Sequence, residues 1–314
     1  MSVKHAIFGF LSLGLSVGAL AGQAQAAEGV ILSPSRLPVA ARAALHADIT
    51  AARARAPSAF SALATVRRGL PELDAQRRGR LAAVTPLLRS IGRDGLFPIL
   101  AELAVDAPAR GALTDTAWLA WRIGLLEAVG ALRDPRAEAT LTAIVDGPES
   151  DFAVMKAAVE ALGKIGNDRV AAKVIALSRV AGPRQAAALA GMGECRRAKV
   201  AEALSAAIQA RPAEETARLV IRSLGNVGSA WAWKTPAVAV SGEEALVRGT
   251  AVRALIAAFV AYEGDVRRGV TDAILVVDDP STPALIAAAR KGQSAAVVAE
   301  LDRLAQRFAR SPLH

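Results

Sequence analysis

The chain has 314 residues, a formal net charge of +9 and 53% hydrophobic residues, although only 4% of its residues are aromatic. This length permits a large buried core, and alanine and leucine supply most of the apolar side chains. Strands typically alternate β-branched or aromatic residues with polar ones, and no stretch of this sequence does so. The composition therefore excludes a β-rich fold and predicts an all-α protein.

Residues 1–26 have the pattern of a secretory signal peptide. Lys4 lies in a short charged start, residues 6–22 form an apolar run, and Ala24-Gln25-Ala26 supplies the small residues of a cleavage site. We expect cleavage after Ala26, and a mature protein that is periplasmic or secreted. The alternative is an uncleaved anchor, because a run of about 17 residues is at the lower limit for a membrane span. No later stretch predicts an integral membrane segment.

The next part of the chain predicts an extended lead-in and then strongly basic helices. Residues 27–40 contain Pro34 and Pro38, which favour an extended conformation. Residues 41–84 predict basic N-terminal helices, in a stretch from Arg36 to Asp94 that has eleven arginines against four acidic residues. The arginines of the expected basic face are Arg53, Arg55, Arg67, Arg68, Arg77, Arg78 and Arg80.

A basic face of this kind attracts anionic lipid headgroups, acidic proteins or polyanions. The alternative is that these arginines only solvate helix surfaces and have no partner. Nucleic acid is not expected as a partner, because the protein is predicted to be exported. The sequence also has no aromatic residues interleaved with the arginines for base stacking.

A short motif recurs through residues 85–242. Its plainest copies are Leu126–Arg136 and Ala158–Arg169, and the turn appears again in Ile221–Gly228. Weaker copies at Leu88–Asp94 and Leu189–Gly193 give a repeat length of roughly 30 to 37 residues, as expected for a helical repeat array.

Each copy predicts one pair of helices. The first helix is expected to end at a Leu-Gly turn, where glycine adopts the left-handed conformation. Asp134 in one copy, and Asn167 or Asp168 in the next, can then cap an apolar second helix. One such pair cannot bury its own apolar face, so the pairs must stack. The sequence therefore predicts an α-solenoid of stacked antiparallel helix pairs.

The segments Ala158–Arg169 and Ala128–Arg136 resemble short HEAT repeats, of the kind also seen in phycobilin lyases. In these repeats Ala-x-x-Ala-Leu-Gly-x-Ile-Gly-Asp-x-Arg leads into an apolar second helix, and the turns Asp134-Pro135-Arg136 and Asn167-Asp168-Arg169 match it. The resemblance implies a right-handed superhelix whose second helices line a concave face. It also implies that Arg136 and Arg169 pair with an acidic residue of a neighbouring unit. Nothing matches a bilin-binding site, so lyase activity is not implied.

The C-terminal part departs from this pattern. Residues 229–242 lengthen one connection, and Trp231 and Trp233 in this insert are expected to form an exposed anchor for a partner, since aromatic residues are enriched in binding hot spots. The alternative is that both tryptophans cover the core. Residues 243–314 predict divergent repeats that end in a capping helix at 295–309.

The sequence predicts no catalytic residue, no cofactor and no metal. After the predicted signal peptide it has no HExxH, CxxC, GxSxG or phosphate-loop motif. The histidines that follow the signal segment, His46 and His314, are far apart in the sequence. Cys195 is the only cysteine, so an intramolecular disulfide is excluded, and we expect a structural thiol although Arg196 and Arg197 follow it.

These patterns favour a non-enzymatic scaffold of the cell envelope that binds a protein on its concave face. Arg136, Arg169, Trp231 and Trp233 are the predicted contacts of that partner. One alternative is a module that binds anionic lipid or polymer through the arginine-rich N-terminal helices. The other is an enzyme, or an accessory factor of an enzyme, that has no recognisable motif.

Overall fold

The computed structural model describes residues 28–311, and these residues form helices and no strand. The predicted signal peptide and His314 lie outside the described residues. The N-terminal helices are α1 (Val39–Arg55), α2 (Pro57–Arg68), α3 (Leu70–Ala75), α4 (Val84–Arg89) and α5 (Leu96–Ala104). The central helices are α6 (Asp115–Leu132), α7 (Glu138–Asp146), α8 (Phe152–Gly163), α9 (Asp168–Arg179), α10 (Pro183–Gly191), α11 (Ala198–Gln209) and α12 (Glu214–Gly228). The C-terminal helices are α13 (Ala230–Trp233), α14 (Pro236–Ala239), α15 (Glu244–Ala261), α16 (Gly264–Val277), α17 (Thr282–Ala289) and α18 (Ala295–Ala309).

The helices are arranged in two rows. The first helices α4, α6, α8, α10, α12 and α16 pack side by side in chain order, and the second helices α9, α11, α15 and α17 do the same in the other row. The core is continuous along the chain, because the apolar faces of neighbouring pairs bury one another. The predicted all-α solenoid of stacked helix pairs is confirmed.

The glycines of the Leu-Gly motif have a different role from the predicted one. Gly130 and Gly163 lie within first helices, and neither has a positive φ. A Cβ added at Gly130 would lie 2.7 Å from the Cα of Ala161 in the next first helix. A Cβ added at Gly163 would lie 3.0 Å from the backbone nitrogen of Cys195. These glycines are needed because successive units approach too closely for a side chain.

In two of the central units the left-handed conformation occurs later, in the turn that follows the first helix. In one unit Gly166 has φ 72°, and in the preceding unit a non-glycine residue, Arg133, has φ 53°. The predicted cap of α9 is present, since Asn167 Oδ1 accepts from the backbone N–H of Val170. Asp134 instead caps the 3₁₀ turn Pro135–Ala137 that precedes α7, where its Oδ1 accepts from the backbone N–H of Arg136. The motif therefore combines a glycine in the first helix, which packs against the next unit, with a tight turn that follows this helix.

The extended lead-in is hydrogen-bonded to the end of α5. The backbone N–H of Val30 donates to the carbonyl of Glu102 (2.8 Å), and those of Ile31 and Leu32 donate to the carbonyl of Leu103 (3.2 and 3.1 Å). Helix C-termini leave their last carbonyls without partners inside the helix. The lead-in satisfies two of these carbonyls, and it places the buried side chain of Leu32 in the core.

Among residues 28–311, no helix is both long and apolar enough to cross a bilayer.

Replacing Gly130 by alanine is expected to lower the free energy of unfolding by about 1–3 kcal/mol, because the new Cβ would overlap the backbone of Ala161. Gly269 is the matched control, since it also lies inside a helix but has open space where a Cβ would be. Gly269→Ala is expected to raise the free energy of unfolding by up to about 1 kcal/mol. Urea denaturation measures both variants, and equal effects would contradict the proposed role of Gly130.

Candidate partner-binding edge

The turns between first and second helices form one edge of the solenoid, which we call the turn edge. It comprises residues 133–137, 164–167, 192–197 and 229–243. Hydrogen bonds join one turn to the next. Arg133 Nη1 donates to the carbonyl of Lys164 (2.8 Å), and Arg197 Nη1 donates to the carbonyl of Gly166 (3.0 Å). Arg197 Nη2 also lies 2.9 Å from Glu243 Oε1, at the end of the fourth turn.

Arg136 does not pair with an acidic residue of a neighbouring unit, contrary to the expectation from the family resemblance. Its Nη2 lies 2.6 Å from Oδ2 of Asp134 in the same turn, and its Nε donates to Oδ1 (2.9 Å). These hydrogen bonds lower the pKa of Asp134. The contact of Arg136 with another unit is the ring of Phe97, at 4.9 Å from the guanidinium carbon. The short spacing favours the local pair, because Asp134 is only two residues away.

Arg169 pairs with the preceding unit, as the resemblance implied. Its Nη1 lies 3.5 Å from Glu138 Oε1, and the other oxygen of Glu138 accepts from Asn167 Nδ2 (2.6 Å). The side chain of Arg169 is nevertheless 88% exposed, so this exposed ion pair contributes at most about 1 kcal/mol. Most of the guanidinium of Arg169 remains open to solvent.

Two arginines that join the units, Arg133 and Arg197, are not among the predicted site residues. Arg197 also binds Asp168 (Nη2 to Oδ1, 2.8 Å). Burial alone would raise the pKa of Glu243, but hydrogen bonds from Arg197 and from the backbone N–H of Ala198 lower it. The motif spacing could have identified Arg197, since it follows Gly191 by the same six positions that separate Arg169 from Gly163.

Arg136 and Arg169 line one cavity beside α7, with a volume of about 540 Å³. Arg36 of the lead-in reaches the same cavity. Two acidic residues balance part of this charge: Glu138 binds Arg169, and Asp146 binds Lys173 of α9 (2.5 Å). The structure therefore brings two of the predicted contact residues together, on a surface of mixed charge formed by the second helices.

The insert forms two short helices, α13 and α14, and it places the two tryptophans in different environments. Trp233 is only 2% exposed, and its Nε1 donates to the carbonyl of Val227 (3.2 Å). Trp231 is 61% exposed, and the ammonium of Lys234 lies 4.1 Å from its ring centroid. Positions i and i+2 of a helix point about 200° apart, since each residue turns the helix by about 100°. Trp233 is therefore a core residue, and Trp231 alone matches the predicted exposed anchor.

Six of the seven arginines of the predicted basic face are exposed, and one is largely buried. The largely buried one is Arg67, whose side chain is only 11% exposed. It forms an ion pair with the buried carboxylate of Glu102, and its Nη2 donates to the carbonyls of Pro108 (2.8 Å) and Ala109 (2.9 Å). The other six of these arginines are exposed, as predicted: Arg53, Arg55, Arg68, Arg77, Arg78 and Arg80.

Glu102 is held between Arg67 and Trp121. Trp121 Nε1 donates to Glu102 Oε1 (3.0 Å), in a fully buried part of the core. Burial raises the pKa of Glu102, although the charge of Arg67 and the hydrogen bond from Trp121 oppose the rise. The role of Arg67 is therefore to compensate a buried charge, and this role removes it from any open basic face.

No candidate metal site is found in residues 28–311. These residues contain no group of three or more His, Cys, Asp and Glu side chains that could hold a metal ion. Cys195 is buried, as expected for a structural thiol, and burial raises its pKa to about 12. A thiol that remains protonated at neutral pH is a poor nucleophile.

Residues 111–193 match a family model described as HEAT repeats. This central part of the chain is similar to HEAT repeats. The matched range includes helices α6 to α10 and the close contact at Gly130, so it covers the central units of the solenoid. A search of curated protein sequences finds no match. Among solved structures, human deoxyhypusine hydroxylase in complex with glycerol aligns with 81% of this chain and 97% of its own, at 15% identity and a TM-score of 0.29. At that similarity it has no bearing on the activity of this protein.

Replacing Arg67 by methionine is expected to lower the free energy of unfolding by about 3 kcal/mol at pH 8, because the buried carboxylate of Glu102 loses its partner. The loss should be smaller at pH 5. The pKa of Glu102 is already raised and rises further without Arg67, so the folded state binds a proton that the unfolded state releases. Stability therefore falls as pH rises through that pKa.

The neighbouring exposed residue supplies the control for this measurement. Arg68→Met is expected to change the free energy of unfolding by less than about 0.5 kcal/mol at either pH. Urea denaturation at pH 5 and pH 8 gives both values, and a loss in Arg67→Met that is independent of pH would contradict the assignment to Glu102.

Proposed function

We propose that this protein is a non-enzymatic scaffold of the cell envelope, periplasmic or secreted, that holds a protein partner along its turn edge. Trp231 is the main support for this function. An exposed tryptophan offers a large, rigid apolar surface at little entropic cost, and tryptophan is among the residues most enriched in binding hot spots. The exposure of Trp231 is also unusual for this chain, because the indoles of Trp121 and Trp233 are buried in the core of the solenoid.

The insert around Trp231 adds to this apolar surface. Helix α13 packs against α12 and α16, so the body of the solenoid holds the helix that carries Trp231. Val240, at the end of α14, is 85% exposed. An anchor on an ordered support loses less entropy on binding than one on a mobile loop. The insert therefore has the features of a hot spot that is ready to bind.

The rest of the turn edge fits the polar rim of such an interface. Arg136 on the turn edge, and Arg169 next to it in α9, keep exposed guanidinium groups beside the α7 cavity. Arg133 and Arg197 use their hydrogen bonds within the solenoid, which ties the turns to one another. Protein interfaces typically combine an apolar centre with polar, solvent-accessible surroundings in which arginine is enriched. The concave face implied by the HEAT resemblance would continue this surface along the second helices.

The envelope location rests on residues 1–26, whose charged start, apolar run and Ala24-Gln25-Ala26 site have the order of an export signal. The single cysteine is compatible with an oxidising compartment, since the protein has a large core and needs no disulfide for stability.

A second candidate function is binding of an anionic lipid or polymer through the N-terminal helices. It is favoured by the six exposed arginines in residues 53–80. Such binding would depend mainly on charge, and it would weaken strongly as salt screens the attraction.

Replacing Trp231 by alanine is expected to abolish capture of the partner while leaving the fold intact, because the side chain is mostly in solvent. The measurement is a mild-crosslinking pull-down of the mature protein from the cell envelope, quantified by mass spectrometry at low and high salt. Phe152→Ala is the matched control, since Phe152 is another exposed aromatic residue but lies on α8, away from the insert. It should capture the same partner as the unmodified protein.

The outcomes separate the two candidate functions. One protein that is captured at both salt concentrations, is retained by Phe152→Ala and is lost by Trp231→Ala supports the scaffold. Recovery of lipid or polymer that is lost at high salt, with no effect of Trp231→Ala, would favour the basic N-terminal helices. Trp233→Ala is not a binding test, because removing this buried indole is expected to destabilise the core by about 3–5 kcal/mol.

A further inference from the structure

A cavity of about 830 Å³ lies between helix α2 and the loop that follows α5, at the opposite end of the chain from the insert. Its apolar part includes Phe60, Leu63, Pro98 and Leu113. Pockets for small ligands typically have volumes of about 300–1,000 Å³ and mostly apolar walls with a few polar groups. This cavity has the size and the wall of a small-molecule site.

The wall of the cavity is held in place by the buried ion pair beneath it. Arg67 binds Glu102 on one side and donates to the loop carbonyls of Pro108 and Ala109 on the other. The guanidinium carbon of Arg67 also lies 5.7 Å from the ring centroid of Trp121. These contacts join α2, α5, α6 and the loop, so the cavity is formed before any ligand arrives.

The mouth of the cavity carries positive charge that the protein does not fully neutralise. Arg68 donates to Thr65 Oγ1 (2.9 Å) and forms no ion pair with any residue in 28–311. Arg53 stacks on the ring of Phe60 (4.6 Å) and lies 4.0 Å from the exposed carboxylate of Asp106, which is a loose contact. Two guanidinium groups are therefore available at the mouth of an apolar cavity.

Other charged residues that line the cavity have partners. Glu102 is neutralised by Arg67 in the interior, and the exposed Arg110 pairs with Asp115 and donates to the carbonyl of Leu113 (3.0 Å). A ligand that enters the cavity therefore meets apolar walls inside and, at the mouth, the guanidinium groups of Arg53 and Arg68 opposed by the single carboxylate of Asp106. This distribution fits a molecule with an apolar body and one anionic end.

We propose that this cavity binds a free amphiphilic carboxylate, with its apolar chain along Phe60 and Leu63 and its carboxylate between Arg53 and Arg68. Arginine is suited to this contact, because its planar fork of N–H donors matches the two oxygens of a carboxylate. The apolar chain is favoured because it removes the walls of the cavity from water. This binding is independent of the protein partner proposed for the turn edge.

Dodecanoate, used below its micelle concentration, is the probe for this site. Isothermal titration calorimetry should detect saturable binding at one site, and the fluorescence of Trp118 and Trp121 should change with the same midpoint, because Arg67 contacts both rings. Dodecanol and dodecyltrimethylammonium have the same chain but lack the anionic end. Both should bind at least tenfold more weakly than dodecanoate, since charged hydrogen bonds are among the stronger contacts.

The variants test the cavity and its mouth separately. Arg68→Ala is expected to weaken dodecanoate binding about tenfold, and Ala64→Phe, which places a ring into the cavity from an exposed position on α2, should abolish it. Arg78→Ala is the matched control, because Arg78 is an exposed arginine of the same basic segment that does not line the cavity. The urea midpoint of each variant should equal that of the unmodified protein.

Several results would overturn the proposal. One is the absence of saturable dodecanoate binding, and another is equal binding of dodecanol. Equal losses in Arg68→Ala and Arg78→Ala would show diffuse attraction to the basic segment instead of a site. Binding of anionic phospholipid vesicles that dodecanoate does not displace, and that Ala64→Phe does not weaken, would show a membrane-contact surface instead.

Discussion

The solenoid depends on a contact that leaves no room for a side chain between successive units. At Gly130 the obstacle to a Cβ is the backbone of Ala161, and at Gly193 it is the backbone of Ser223, whose carbonyl oxygen would lie 2.5 Å away. Backbone cannot rotate out of the way as a flexible side chain can, so glycine is required at these contacts. The close approach also brings consecutive turns within reach of one another's arginines.

Arginine has three separate functions in this protein, although its charge is the same in all of them. Arg67 compensates a buried carboxylate, Arg133 and Arg197 tie neighbouring turns together, and Arg68 and Arg169 present guanidinium groups to solvent. Five N–H donors on a rigid planar group allow one side chain to satisfy several carbonyls and carboxylates at once. The number of arginines in the sequence therefore overstates the number of guanidinium groups that are open to a partner.

The two surfaces proposed to bind are both irregularities in the repeat. The insert at 229–242 interrupts the connection between α12 and α15 and exposes Trp231, while the loop at 105–114 opens a cavity beside α2. The regular units between them use most of their apolar surface for stacking, and the cavity that they form beside α7 has a wall of mixed charge. In a solenoid, recognition can change at such irregular points without disturbing the contacts that hold the units together.

The sequence by itself determined the fold class and the position of the central repeats, because helix periodicity, turn residues and caps are local patterns. It also indicated that Cys195 is structural. The tertiary structure decided which Leu-Gly glycines are packing residues, which tryptophan of the insert is exposed, and that Arg67 is buried. Each of these depends on a contact across units: Glu102 lies 35 residues from Arg67, and Ala161 lies 31 residues from Gly130. The sequence of one repeat shows the spacing of its own residues. It does not show which atoms of the next unit contact them, because those contacts form only when the units stack.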